Sequence, residues 1–171
     1  GPLSFEVSFQ NRKIISNSGF FQNNKHQLNA LSRTTINQNT ITVDSTSVTS
    51  FIKKGENVSI KNNFRILDKE IKLDKDLWSI EASHDGYLKK FGMIHRRKIK
   101  FLKDSHKFLG TDILFYKKKI SRRLFEIRFH FEPGIKLTKT LDKKSILIEV
   151  SNSGWRFWCD NFPINIESGL Y

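Results

Sequence analysis

A chain of 171 residues, 37% of them apolar, is long enough for one domain with a substantial core, and no stretch of it approaches the ~18 apolar residues of a membrane-crossing helix. Fifteen phenylalanines beside frequent Ile, Val and Thr favour strands over helices. The lone Cys159 excludes an internal disulfide framework and a cysteine-rich zinc site, and one thiol fits a cytosolic or a periplasmic protein alike. The formal net charge is +13, and it is uneven: Leu88–Arg123 holds thirteen Lys and Arg against Asp104 and Asp112. Such a field attracts nucleic acid, acidic polysaccharide or an anionic surface. A solvated lysine-rich face would give the same count.

Gly1-Pro2 reads as the scar of a cleaved expression tag, so the domain is counted from Leu3 to Tyr171. Phe5–Phe9 alternates as a strand, Gln10-Asn11 can turn, and Lys13–Asn17 can return as a hairpin. Asn17–Lys25 reads as a loop and Gln27–Arg33 as one short helical turn. Thr40–Val43 is a strand ended by Asp44, and Val48–Ile52 and Val58–Ile60 are short strands around Gly55. Phe64–Leu67 begins another, followed by a charged connection over Lys69–Asp76. Leu77–His84 alternates again. His84-Asp85-Gly86-Tyr87 follows as a turn, with Gly86 free to take positive φ.

From Gly92 a second strand places Met93, His95, Arg97, Ile99 and Phe101 on one face and Ile94, Arg96, Lys98, Lys100 and Leu102 on the other. Lys107–Tyr116 is a strand with Gly110 as a bulge or turn, and Lys117–Arg123 is a basic turn. Leu124–Phe131 is the clearest strand of all, stopped by Pro133-Gly134. Ile135–Thr140, Ser145–Val150, Gly154–Cys159 and Ile164–Glu167 complete the series. No helical period persists beyond two turns and no repeat is present. Many short strands with turns every ~8–12 residues predict an all-β antiparallel sandwich with little helix.

The residues with chemistry gather in Leu77–Lys103. Asp85 can orient an imidazole and Tyr87 can donate a proton, or Asp85-Gly86 is only a turn and Tyr87 an anchor. An inward Arg97 needs a ligand or a carboxylate, with Glu81 and Glu126 as candidates. Arg128 and His130 oppose a phenylalanine face and so read as exposed or cleft-lining. Trp155 reads as core, while Trp158 alternates with Arg156 and Phe157. No Gly-rich phosphate loop, nucleophile elbow or His-x-x-x-His helix occurs.

Four ordered segments resemble one family. Leu3-Ser4-Phe5-Glu6-Val7-Ser8 is similar to the "L-S-F-E-L-S" strand of heparinase II/III-like polysaccharide lyases, and Arg33–Asp44 to their "R-S-T-A-A-H-N-T-V-T-V-D". Ser83–Tyr87 with Gly92–Arg97 resembles "S-H-D-G-Y…G-x-x-H-x-R", and Gly154-Trp155-Arg156-Phe157 resembles a C-terminal "G-W-R-F". The resemblance implies a β-sandwich that follows a helical toroid and helps to hold an acidic polysaccharide for β-elimination. It implies that the catalytic Tyr and Asn lie in the toroid and the catalytic His in an "H-x-x-A-D" segment before "L-S-F-E". No catalytic residue is therefore expected in this chain, and His84, Tyr87, His95, Arg96 and Arg97 are expected to contact substrate. Relatives that bind zinc use positions occupied here by Asn17 and Gln38, whose amides are poor zinc ligands, so no metal or other cofactor is expected. The expected partners are an acidic polysaccharide and the helical domain of the same protein. A polyanion-binding module without a parent activity is the alternative, and nucleic acid is disfavoured because no recognised binding motif is present.

Overall fold

In the computed structural model, residues 1–19, 28–54, 57–116, 121–150 and 152–169 are described. Phe20–Lys25 of the expected loop, Gln27, the turn at Gly55 and the lysines 117–119 of the expected basic turn lie outside them. Half of the described residues are strand and 8% helix, in antiparallel pairings that form an all-β sandwich.

The chain opens with a hairpin of β1 (Val7–Phe9) and β2 (Arg12–Ile15). Gln10 and Asn11 both take left-handed φ, 48° and 60°, which matches the twist of a two-residue turn. After a helical turn, α1 (Leu28–Ser32), and a 3-10 turn at Thr35–Asn37, β3 (Ile41–Val43) runs wholly buried. β4 (Thr49–Lys54) and β5 (Asn57–Asn62) pair as a hairpin. Next comes the largest sheet, four antiparallel strands in sequence order: β6 (Ile66–Leu73), β7 (Leu77–His84), β8 (Met93–Leu102) and β9 (Lys107–Tyr116). A four-residue helix, α2 (Leu88–Phe91), sits between β7 and β8. β10 (Phe125–Ile127) pairs with β3, and β11 (Lys136–Lys139), β12 (Ser145–Val150) and β13 (Ser153–Trp158) form a meander.

Two apolar clusters fill the interior. One joins Ile41, Val43, Val48, Tyr87, Phe91 and Met93; the other joins Ile14 and Ile15 to Ile146, Ile148 and Val150. A file of rings ties the four-stranded sheet to the second cluster: Trp78 to Phe101 (centroids 5.9 Å apart), Phe101 to Phe108 (4.5 Å), Phe108 to Trp155 (6.5 Å) and Trp155 to Phe9 (5.3 Å). Trp155 is thus a half-buried packing residue.

Several elements depart from the sequence reading. Lys69–Asp76 is not a connection through its first half, because β6 extends to Leu73; it is an edge strand with every residue exposed, and charges suit such an edge. Gly110 makes no bulge and pairs in regular register with Ile99. Leu124–Phe131 is a strand only at β10. Beyond it the backbone changes partners: Arg128 N–H donates to Thr40 O, His130 N–H to the Asn39 side chain, and Glu132 N–H to Ile14 O. That corner lets Ile127 pack on the first cluster and Phe129 and Phe131 on the second. Ile164–Glu167 forms no strand. Leu77–His84 is the strand that its alternation predicts and a turn follows at Gly86-Tyr87, but the glycine of left-handed φ between β7 and β8 is Gly92 (φ 69°), which caps α2, not Gly86.

Candidate functional site

β8 lies between β7 and β9, so its pleat sorts side chains onto an interior and an outer face. The interior set is Met93, His95, Arg97 and Ile99, all buried, as the alternation predicts. In register, His84 of β7 is opposite His95, and Asp112 of β9 is opposite Arg97.

These four form one hydrogen-bonded chain. The Gly86 N–H donates to His84 Nδ1 at 3.0 Å, so that nitrogen is the acceptor and Nε2 bears the proton. His84 Nε2 then donates to His95 Nδ1 at 3.0 Å, which leaves His95 Nε2–H to donate to Asp112 Oδ1 at 2.6 Å. A single backbone amide thereby sets the tautomer of both imidazoles. Gly86 is needed at its position for close approach: a Cβ there would meet Val48 Cγ1 at 2.8 Å and His84 Nδ1 at 2.9 Å.

Arg97 closes the chain. Its Nε donates to Asp112 Oδ1 at 2.7 Å and its Nη2 to Oδ2 at 3.0 Å, a two-bond grip on one carboxylate. Nη1 donates to Leu3 O at 2.9 Å and Asn39 O at 2.5 Å, and the guanidinium lies 5.5 Å from the Phe5 ring centre. Neither Glu81 nor Glu126 is the partner of Arg97. Both imidazoles are 0% exposed and Arg97 is 4% exposed. Burial pushes the His84 pKa down to about 3, with the neighbouring His95 and Arg97 adding to it. Burial also lowers His95, against the opposing pull of Asp112. For Asp112 burial acts upward, but the hydrogen bond from His95 and the Arg97 charge outweigh it and hold the carboxyl low.

Tyr87 is 1% exposed and its hydroxyl donates to Ile41 O at 2.8 Å, anchoring β3; burial pushes its phenol up. Asp85 does not orient an imidazole. One residue past His84, its carboxylate accepts from the Arg65 backbone at 2.6 Å and from Arg65 Nε at 2.9 Å. His130, expected to be exposed or cleft-lining, is half-buried, its Nε2 3.2 Å from Ile36 O.

The outer face carries Arg96, Lys98 and Lys100 of β8. Arg96, with 38% of its side chain exposed, lies over Phe115 at 4.9 Å and 3.6 Å from Glu81. Lys98 pairs with Glu81 at 2.7 Å, a contact that lowers the Glu81 carboxyl. Lys100 has no carboxylate within ion-pair distance among the described residues. The remaining basic residues of this stretch do not all join that row. Lys90 and Arg123 each lie 5.1 Å from the centre of the Phe91 ring at the α2 corner, where Arg123 also pairs with Asp44 at 2.9 Å.

Thus the structure brings His84, His95 and Arg97 together in the interior, puts Tyr87 beside His84 (ring centroids 5.7 Å apart), and leaves Arg96 on the opposite face. Sequence reasoning missed Asp112 and Asn39. Asp112 had a signal, as the one acid inside the apolar run Phe108–Phe115. Asn39 is an amide among many by composition, marked only by its match to the Asn of the family's "H-N-T"; its Nδ2 donates to Phe5 O at 2.9 Å and its Oδ1 accepts from His130 N–H at 2.6 Å.

The zinc positions do not fit a metal. Asn17 Oδ1 accepts from Asn39 N–H at 2.9 Å and Gln38 Nε2 donates to Ser32 O at 2.8 Å, so both amides are engaged within the fold.

The family model described as heparinase II/III-like, C-terminal, matches residues 1–171, the whole chain. No curated protein and no solved structure matches it. No helix among the described residues is long and apolar enough to cross a membrane.

Proposed function

The chain belongs to the heparinase II/III-like C-terminal family, and on that premise we propose that it is the sandwich domain of a polysaccharide lyase and helps to hold an acidic polysaccharide at a cleft shared with a helical domain. The observation that carries this reading is the outward row Arg96, Lys98 and Lys100 on the central strand β8, at alternate positions. Successive members are separated by two residues of strand, ~6.6–6.8 Å, a spacing that repeats charge along an extended polyanion. In this proposal Arg96 is the one of the five expected contacts that meets the glycan. His84, Tyr87, His95 and Arg97 hold the strand that presents it. β-Elimination needs a base and a proton donor facing substrate, and the buried imidazole pair offers neither to solvent; in this proposal the helical domain supplies them.

The test is binding of heparin and alginate oligosaccharides to the full chain across a salt series. Replacing Arg96, Lys98 and Lys100 together by Ala should weaken binding at low salt by at least about tenfold, or ~1.4 kcal/mol. The difference should shrink as the screening length falls to ~8 Å at physiological salt. A folded triple variant that binds like the parent at every salt concentration would refute the reading.

A further inference from the structure

A second cationic feature lies where β13 ends against the β11–β12 turn. A cavity of about 160 Å³ opens there, bordered by Asp142, Lys144, Ser145, Arg156, Trp158 and Asp160. It is several times the ~30 Å³ share of one water and is half open to solvent. Arg156 reaches it with its plane fixed, because Nε and Nη2 donate to Ser145 Oγ at 3.1 and 2.9 Å. That partner is an uncharged, fully buried hydroxyl. An arginine oriented by a serine keeps its fork free of a carboxylate, although here Asp142 on the same rim draws on its charge.

The rest of the rim is equally set. Lys144 N–H donates to Asp142 Oδ1 at 3.0 Å, Cys159 N–H to Lys144 O at 3.2 Å, and Ile164 N–H to Lys143 O at 2.9 Å, so the turn is pinned from both sides. Asp142 also accepts from the Thr140 hydroxyl at 2.5 Å; that hydrogen bond first, and the charges of Arg156 and Lys144 after it, hold its carboxyl low. Neither Lys144 nor Arg156 has a carboxylate within ion-pair distance among the described residues. Lys107 Nζ stands 4.8 Å from the Trp158 ring centre. Lys107 is opposite Leu102 in the β8–β9 ladder, so the outward row of β8 leads toward this cavity.

We propose that this cavity is a subsite for one anionic pyranose of the bound chain, with Arg156 and Lys144 gripping its carboxylate or sulfate and Trp158 lying against the ring. The proposal rests on the acidic-polysaccharide reading and adds a place that the outward row does not include. Pre-orientation of the guanidinium favours such a grip because little side-chain freedom is left to lose on binding.

The experiment is calorimetric titration of the full chain with trigalacturonate, a heparin tetrasaccharide and neutral maltotriose, with Trp emission recorded in parallel. Arg156→Lys keeps the charge and loses the fork; it should weaken the better anionic probe by at least about fivefold. Lys144→Ala, at an exposed side chain, should weaken it about threefold or more. Trp158→Phe should abolish most of the emission change, and Lys61→Ala on β5 should change nothing. The stronger of the two anionic probes identifies carboxylate or sulfate as the recognised group. If the parent chain binds an anionic probe while folded Arg156→Lys and Lys144→Ala bind it equally well, the subsite is overturned and the wider reading survives. Should Arg156→Lys fail to fold, Lys144→Ala alone decides. Equal binding of maltotriose overturns recognition of charge, and no binding of either anionic probe overturns both the subsite and the function it rests on.

Discussion

Asp112 receives three hydrogen bonds, one from an imidazole and two from a guanidinium, and the ion pair it completes is buried. Asp112→Asn keeps the shape and removes the charge, which leaves Arg97 uncompensated in the interior. Loss of one member of a buried pair costs about 3–5 kcal/mol, so urea unfolding of this variant should show a drop of that size. A loss under ~1 kcal/mol would mean that water reaches the site. Gly86→Ala should cost about 1–3 kcal/mol, since the new methyl must displace buried Val48 or the His84 ring. A neutral result in the same unfolding assay would contradict the close approach. The imidazoles predict a pH dependence with a definite sign. The folded value of His84 is about 3, against an ordinary value of 6.5. The unfolded chain therefore takes up the proton first, and the stability tied to neutral His84 is complete above pH ~6.5 and lost as pH falls toward ~3. His95 and His130, also lowered by burial, act in the same direction. Between about pH 6.5 and 5 most carboxylates stay ionised, so a falling urea midpoint in that window reports the histidines. A flat midpoint there would contradict their burial.

Among elements, β8 was the most legible in sequence because its alternation is strict and both neighbours pair with it along nearly its whole length. What alternation could not supply was the identity of the partners across the ladder. Arg97 needed a carboxylate, and choosing among Glu81, Glu126 and Asp112 required the register of β9, which depends on the tight Lys103–His106 turn. The corner after β10 was illegible for a different reason. Its apolar alternation continues unbroken through Phe131, yet one backbone partner is exchanged for another by way of the Asn39 side chain. Asn39→Ala would leave the half-buried Phe5 carbonyl and His130 amide without this partner, at up to about 1–3 kcal/mol each. Hydrogen exchange should quicken at His130 more than at Ile146 or Ile148 of β12. Unchanged protection at His130 would show that the corner is held by packing alone.

For the molecule as a whole, the positive charge of the described residues does not form one patch. Part of it is on the outer face of β8, part at the α2 corner against Phe91, and part at the end of β13, while Arg97 is taken into the interior. Among the described basic residues of Leu88–Arg123, then, the charge is divided between faces, and Glu81 reduces it further beside Arg96 and Lys98. The same sorting separates two groups that the sequence had merged: the interior cluster holds β7, β8, β9 and the Leu3–Phe5 segment together, and the outward row is the one that the proposed function sets against a polyanion. Side-chain NMR of the full chain, titrated with an alginate oligosaccharide, tests that division most directly. The account predicts that the Arg96, Lys98 and Lys100 side-chain signals move with added ligand, while the His84 and His95 imidazole signals and Arg97 Nε–H stay in place. Movement of the two imidazoles and Arg97, with Arg96, Lys98 and Lys100 unchanged, would contradict it.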